Sequence, residues 1–237
     1  MGIRRGSIST PIIVDGLVFN MDAANRASYS RSGTTATDTV DNNNGTISAA
    51  TFSDVNEGVF SFDGTDDYID FGNILNFERT DSFSIECWFK RDRSGVSEFL
   101  IAKQESSGNF RGYSVLLPSS DNFITVVLRS QNTTSARLIV DNLTAVTDTN
   151  WHQTVITYDG SSNTSGILIY LDGIDDTGVK QNTLSATIIT STPLQIGARN
   201  NGNSFDGNIG PVHIYNRAFS SSEVLHNYNA LKGRFGL

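Results

Sequence analysis

Carboxylates, histidines and a single cysteine are the side chains here that could make or break bonds, and their spacing decides which chemistry is open to them. Hydrolysis of a glycosidic bond needs two carboxyl groups about 5 to 10 Å apart, one as acid and the other as base or nucleophile. On a strand, two acids share a face when they stand two or four residues apart. Glu57, Glu78, Glu86, Glu98, Glu105 and Glu223 offer no such pair within one strand, and no Glu-x-Asp-x-Glu run occurs. Nucleophilic chemistry is no better provided: His152, His213 and His226 stand in no His-x-His or His-Glu-x-x-His pattern, and there is no Gly-x-Ser-x-Gly elbow. Cys87 alternates with Phe83, Ile85 and Phe89, which makes it a small buried hydrophobe and not a reactive thiol. The chain therefore reads as a non-enzyme.

Binding chemistry has two candidates. "DGTDDYID" gathers Asp63, Asp66, Asp67 and Asp70, the densest set of oxygens for a calcium ion, which takes six to eight oxygen ligands. Asp-rich turns have the same composition without any metal. "GARNNGNSFDG" brings Arg199, Asn200, Asn201, Asn203 and Asp206 into one loop, the amide, carboxylate and guanidinium equipment of a sugar site and equally of an exposed turn.

These residues sit among short strands. "SFSIECWFK" puts Phe83, Ile85, Cys87 and Phe89 on one face and Ser84, Glu86 and Trp88 on the other, the alternation of a half-buried strand. "GILIYLDG" alternates likewise and ends in Asp172-Gly173, a hairpin signal. In "NWHQTVITYDG", Trp151-His152 reads as the start of a strand, with His152, Thr154 and Ile156 on one side and Gln153, Val155 and Thr157 on the other. His213, between Val212 and Ile214, is expected on a partly solvated sheet face. Roughly a dozen such strands predict an all-β fold, an antiparallel two-sheet jelly-roll sandwich. One helix is expected over residues 220–232, with a Ser220/Glu223 capping box, a stripe of Val224, Leu225, Tyr228 and Leu231, and Gly233 as its stop. Residues 1–12, with Arg4, Arg5 and Pro11, read as an extended anchoring arm before a single domain over 13–237, and residues 32–46 as a polar, Asn-rich loop.

Composition narrows the partners. Seventeen basic against 25 acidic residues give a net charge of −8, which disfavours nucleic acid and anionic membrane surfaces. One cysteine permits neither an internal disulfide nor a cysteine-based zinc site. The first residues lack the apolar core of a secretory signal, and no apolar run approaches the roughly 20 residues of a membrane span. The expectation is a protein without a signal peptide that stays in the cytoplasm where it is made or leaves by another route, such as release inside a particle.

"FSFDGTDDYIDFG", "FSIECWF", "NWHQTVITYDG", "ILIYLDG" and "LQIGARNNGNSFDGNIGPVHIYNRAFSSSEV", in that order, resemble the laminin G-like branch of the concanavalin A-like lectin/glucanase jelly rolls over residues 14–232. The resemblance implies two stacked antiparallel sheets with neighbouring termini. It also implies a calcium ion at the rim, with Asp22, Asn42 and Asn44 approaching the aspartate cluster, although Gly210 stands where many relatives carry an acid. "IIVDGLVFNMDAAN" and "IYNRAFSSSEVLHNYNALKGRFGL" resemble the ends of such domains in tailed-bacteriophage virion proteins. That implies a decoration or attachment protein on the virion surface, partnered by capsid or tail proteins, able to form homo-oligomers and displaying a domain for host-surface polysaccharide. The alternative in the same setting is a cement protein that binds no sugar, with a glycan-active enzyme or its carbohydrate-binding module behind both.

Overall fold

The computed structural model describes residues 11–181 and 184–237. Arg4 and Arg5 of the expected arm lie outside them. Seventeen strands occur among the described residues. The first six are β1 (Leu17–Met21), β2 (Thr35–Thr37), β3 (Asn44–Ser48), β4 (Thr51–Ser53), β5 (Val59–Asp63) and β6 (Tyr68–Asp70). Then come β7 (Phe83–Arg91), β8 (Glu98–Gln104), β9 (Gly112–Leu117), β10 (Thr125–Arg129), β11 (Arg137–Asn142) and β12 (Trp151–Tyr158). The last are β13 (Ile167–Leu171), β14 (Ile174–Asp175), β15 (Thr177–Gln181), β16 (Gln195–Ile196) and β17 (Asp206–Tyr215), followed by helix α1 (Ser221–Leu231).

They form two antiparallel sheets, the architecture of a jelly-roll sandwich. Sheet A runs β14-β13-β12-β7-β17-β5-β4, with β1 pairing the second half of β17. Sheet B runs β15-β11-β10-β9-β8-β16-β6-β3-β2. Between them lies one apolar core, to which β7 contributes Phe83, Ile85, Cys87 and Phe89 and β10 and β11 contribute Val126, Leu128, Leu138 and Val140. The Asp172-Gly173 turn joins β13 to β14 with φ of 50° and 80°, the left-handed pair a two-residue hairpin needs.

The outer face of sheet A is also covered, which corrects two expectations. Ser84, Glu86 and Trp88 of β7 are as buried as its inward residues, and so is His213 of β17. The lid is the C-terminal segment. Helix α1 begins at the expected capping box, with Ser220 accepting from the Glu223 amide and Glu223 reaching back to the Ser220 amide. Its packed stripe is Val224, Asn227, Tyr228 and Leu231, while Leu225, expected in that stripe, is 45% exposed. The helix stops at Leu231, not by Gly233, and continues as a 3₁₀ turn over Lys232–Phe235 that ends at left-handed Gly236. That turn drops Phe235 onto Trp88 (ring centroids 4.4 Å apart) and Trp151 (4.5 Å).

Two further differences concern segments read as irregular. The Asn-rich stretch 32–46 contains β2 and the start of β3, held by inward Ala36 and Ile47 and by the buried Asp38, whose carboxylate accepts from the Asn20, Val40 and Asp41 amides. Pro11, assigned to the arm, is already tied to the domain: its carbonyl accepts from His226 Nε2 (2.9 Å), and the Ile13 amide donates to Asn227 Oδ1 (2.8 Å).

Candidate functional site

Among the described residues sheet B has no such helix over it, although the outward residues at its centre, Gln195, Ala102, Ser114 and Gln104, are no more than 2% exposed. Register places its outward residues in rows. One row is Thr46, Asp70, Gln195, Ala102, Ser114, Val127 and Ile139. The next is Gln104, Gly112, Arg129 and Arg137. No apolar cluster among the described residues packs on these rows as α1 packs on sheet A.

The loop after β16 folds over one end of this face. Arg199 lies over the Phe99 ring (4.5 Å to the centroid) and reaches Gln104 and Asn203 only at 3.5 and 3.4 Å. Asn201 is bound on both sides by Gln195, and Asn200 donates to Ser106 Oγ. Asn200, Asn201 and Asn203 all have positive φ, a conformation asparagine tolerates better than most residues, so part of this asparagine content is turn chemistry. Asp206 stands apart, at the start of β17, 3.7 Å from Arg93. Of the expected sugar-site residues the structure thus brings Arg199, Asn200, Asn201 and Asn203 to the sheet B face and leaves Asp206 at the rim. Arg129 and Arg137, which the sequence reading did not single out, share that face.

The aspartate cluster divides in a similar way. Carboxylate oxygens of Asp63, Asp66 and Asp67 lie within 4.8 Å of one another and can hold a metal ion. Burial raises the Asp67 pKa, and the charges of Asp63 and Asp66 add to that rise. Asp70 is elsewhere, accepting from the Gly72 amide and Gln195 Nε2 on the sheet B face. Asp22 is spent on Arg234 (2.8 Å), and Asn44 on Thr37. The cluster already has a cation nearby, since Arg93 donates to the Gly64 carbonyl in the middle of the turn. Gly210 has a packing reason: a Cβ there would stand 3.0 Å from the Phe235 ring.

Trp151 and His152 stand at the start of β12, at the same strand end of sheet A as Asp63 and Asp206. His152 Nδ1 lies 2.8 Å from Asp172 Oδ2 and Nε2 lies 3.0 Å from Asp148 Oδ1. A neutral imidazole can donate from one nitrogen only, so two carboxylate acceptors select the charged ring. Burial opposes that charge, but the bonds to Asp172 and Asp148 outweigh it and raise the His152 pKa. The stabilisation is complete below the unfolded value of about 6.5 and is lost as pH rises through the raised folded value. Thermal midpoints of the wild type should therefore fall across that interval more steeply than those of His152→Gln. Parallel pH profiles would show that the clamp contributes nothing.

A family profile described as the Concanavalin A-like lectin/glucanases superfamily matches residues 63–225. No curated protein matches the chain in sequence. Among solved structures, the binding domain of Paraclostridial Mosquitocidal Protein 1 superposes with a TM-score of 0.66 at 16% identity, covering 91% of this chain and 52% of that one. Domain 4 of AbnA, a GH43 extracellular arabinanase from Geobacillus stearothermophilus in complex with arabinotriose, gives 0.65 at 13% identity, over 90% of this chain and 98% of that domain. Trypanosoma rangeli sialidase in complex with sialic acid gives 0.68 at 13%, over 96% of this chain and 36% of the sialidase. At these identities the likeness is one of fold.

Proposed function

Because this chain belongs to the Concanavalin A-like lectin/glucanases superfamily, we propose that it is a non-enzymatic, lectin-like domain that binds host-surface polysaccharide, displayed as a structural protein on a bacteriophage head or tail. The observation that carries the binding role is a difference between the two sheets: the outer face of A is packed under α1, whereas that of B has no helix over it among the described residues and carries Arg129, Arg137 and Arg199, whose Nε atoms have no hydrogen-bond partner. A neighbour of the same fold in complex with arabinotriose supports the glycan class. The non-enzymatic reading is supported by the work the glutamates already do. Glu86 and Glu98 are buried in hydrogen-bond networks, Glu78 and Glu105 accept from backbone amides, and Glu223 caps α1.

The phage setting rests on the resemblance of the two chain ends to virion-borne domains. In it residues 1–10, with Arg4 and Arg5, are the anchor to capsid or tail, and Pro11 is where the arm meets the domain. Many copies per particle would turn weak single-site affinity into firm attachment. Calcium at Asp63, Asp66 and Asp67 belongs to the same reading, as a brace for the rim.

Binding of the purified protein to host cells and to extracted polysaccharide, with calcium and with a chelator, tests the proposal. Saturable binding that free polysaccharide competes away is expected, and loss of it in chelator would assign calcium a part. Absence of binding by protein clustered on a bead would contradict the lectin role and favour a cement protein. Deleting residues 1–10 should leave the domain folded and remove it from particles; normal incorporation would overturn the anchor.

A further inference from the structure

Arg129 and Arg137 are direct cross-strand partners in the β10–β11 ladder, so their side chains leave the same face side by side. Like charges placed opposite each other in an antiparallel pair cost stability. Nothing acidic offsets the cost: among the described residues, no ion pair includes Arg129, Arg137 or Arg199. The Nε of each is shut off from solvent and has no hydrogen-bond partner.

Two of the three cations lie against rings. Arg199 lies over Phe99 at 4.5 Å and 5.7 Å from the centroid of Phe110, which Arg129 approaches to 5.5 Å. Such contacts fix a guanidinium without neutralising it. Burial lowers the Arg129 pKa, and the neighbouring charges of Arg137 and Arg199 lower it further, as expected of cations with no anion between them. At Gly112 φ is +125° and a Cβ would stand 2.0 Å from the Lys103 carbonyl oxygen, so no side chain stands between Gln104 and Arg129 in the row. All this sits on a chain of net charge −8, which repels polyanions as a whole, so attraction here is local.

We propose that Arg129, Arg137 and Arg199 form an anion subsite for the carboxylate of an acidic sugar. This rests on the glycan-binding reading above. The planar guanidinium fork matches a carboxylate in two parallel hydrogen bonds, and Phe110 gives the sugar ring an apolar edge to lie against. The like-charge cost of the free protein is relieved when the carboxylate enters.

The test compares polygalacturonate, methyl-esterified polygalacturonate, polysialic acid, dextran sulfate and neutral dextran, using the wild type, Arg129→Gln and Arg137→Gln. Polygalacturonate or polysialic acid should bind at least about tenfold more tightly than the ester and dextran, and each variant should lose about tenfold. Thermal midpoints of the variants should stay level or rise, since a repulsion has been removed. Dextran or the ester binding as well as the acids would keep the lectin reading and overturn the anion subsite. No binding by any glycan would overturn both. Dextran sulfate binding as tightly as the carboxylates would reduce the site to general polyanion affinity and overturn the sugar assignment. A variant that loses thermal stability while keeping its affinity would make the arginines structural and end the proposal.

Discussion

Replacing Glu86 by alanine should destabilise the domain by about 3 to 5 kcal/mol, the cost of breaking a buried charged network from one side. Glu86 is fully buried on the outer face of β7, beneath α1. It accepts from Asn227 Nδ2 at 2.7 Å, Gln153 Nε2 at 2.8 Å and Trp88 Nε1 at 3.3 Å. His213 Nδ1 is 3.3 Å from Oε2 but outside hydrogen-bonding geometry, so that contact is electrostatic. Burial pushes the Glu86 pKa up, yet the His213 charge and the bonds from Asn227 and Gln153 pull it below the ordinary carboxylate value. Its contribution is present above the unfolded value of about 4.3 and is lost as pH falls through the lowered folded value. Urea unfolding at pH 7 would measure the loss, and Glu86→Gln should blunt the acid decline of stability. A loss under about 1 kcal/mol for Glu86→Ala would mean that α1 is held by its apolar contacts alone.

The second large effect lies at the rim. Glu98 is buried and bonds Arg91 Nε at 2.7 Å, Arg93 Nε at 2.8 Å and the Asp206 amide at 3.0 Å. Arg91 is itself only 2% exposed in its side chain. Glu98→Ala strands that cation and should also cost about 3 to 5 kcal/mol. Arg93 holds the Gly64 and Ser204 carbonyls, so the aspartate turn and the loop before β17 should loosen together, visible as faster amide exchange in both. Glu98→Met combined with Arg91→Met should recover most of the stability, because a well-packed apolar pair can replace a buried ion pair. Stability of the double variant no better than that of Glu98→Ala would show that Arg91's other bonds, to Asn122 Oδ1 and the Val96 and Val146 carbonyls, are the ones that matter.

Alternation was enough to read most strands and the core. Phe83, Ile85, Cys87 and Phe89 point inward as their spacing says. It could not show that Ser84, Glu86 and Trp88 are buried too, because their cover arrives from α1 and Phe235; Asn227 stands 141 residues from Glu86. Hydropathy favours Leu225 for the helix stripe, yet Asn227 takes the buried place because Glu86, Tyr215 and the Ile13 amide satisfy its amide group. Chain proximity grouped Asp70 with Asp63, Asp66 and Asp67. The first belongs to a strand and the others to a turn and its edge, so strand assignment alone could have parted them. Arg129 and Arg137 were missed because a seven-residue connection hides the register of their hairpin; facing strand ends that both carry arginine were the available signal.

The central claim is that sheet B's outer face binds glycan and does no chemistry on it. The most direct measurement is a backbone NMR titration with host-surface polysaccharide, with release of reducing ends followed in the same sample. The account predicts shifts that saturate at Gln104, Ser114, Arg129, Arg137 and Arg199, and no new reducing ends. Shifts confined to α1 or to the Trp151 rim, or sugar ends appearing with time, would contradict it.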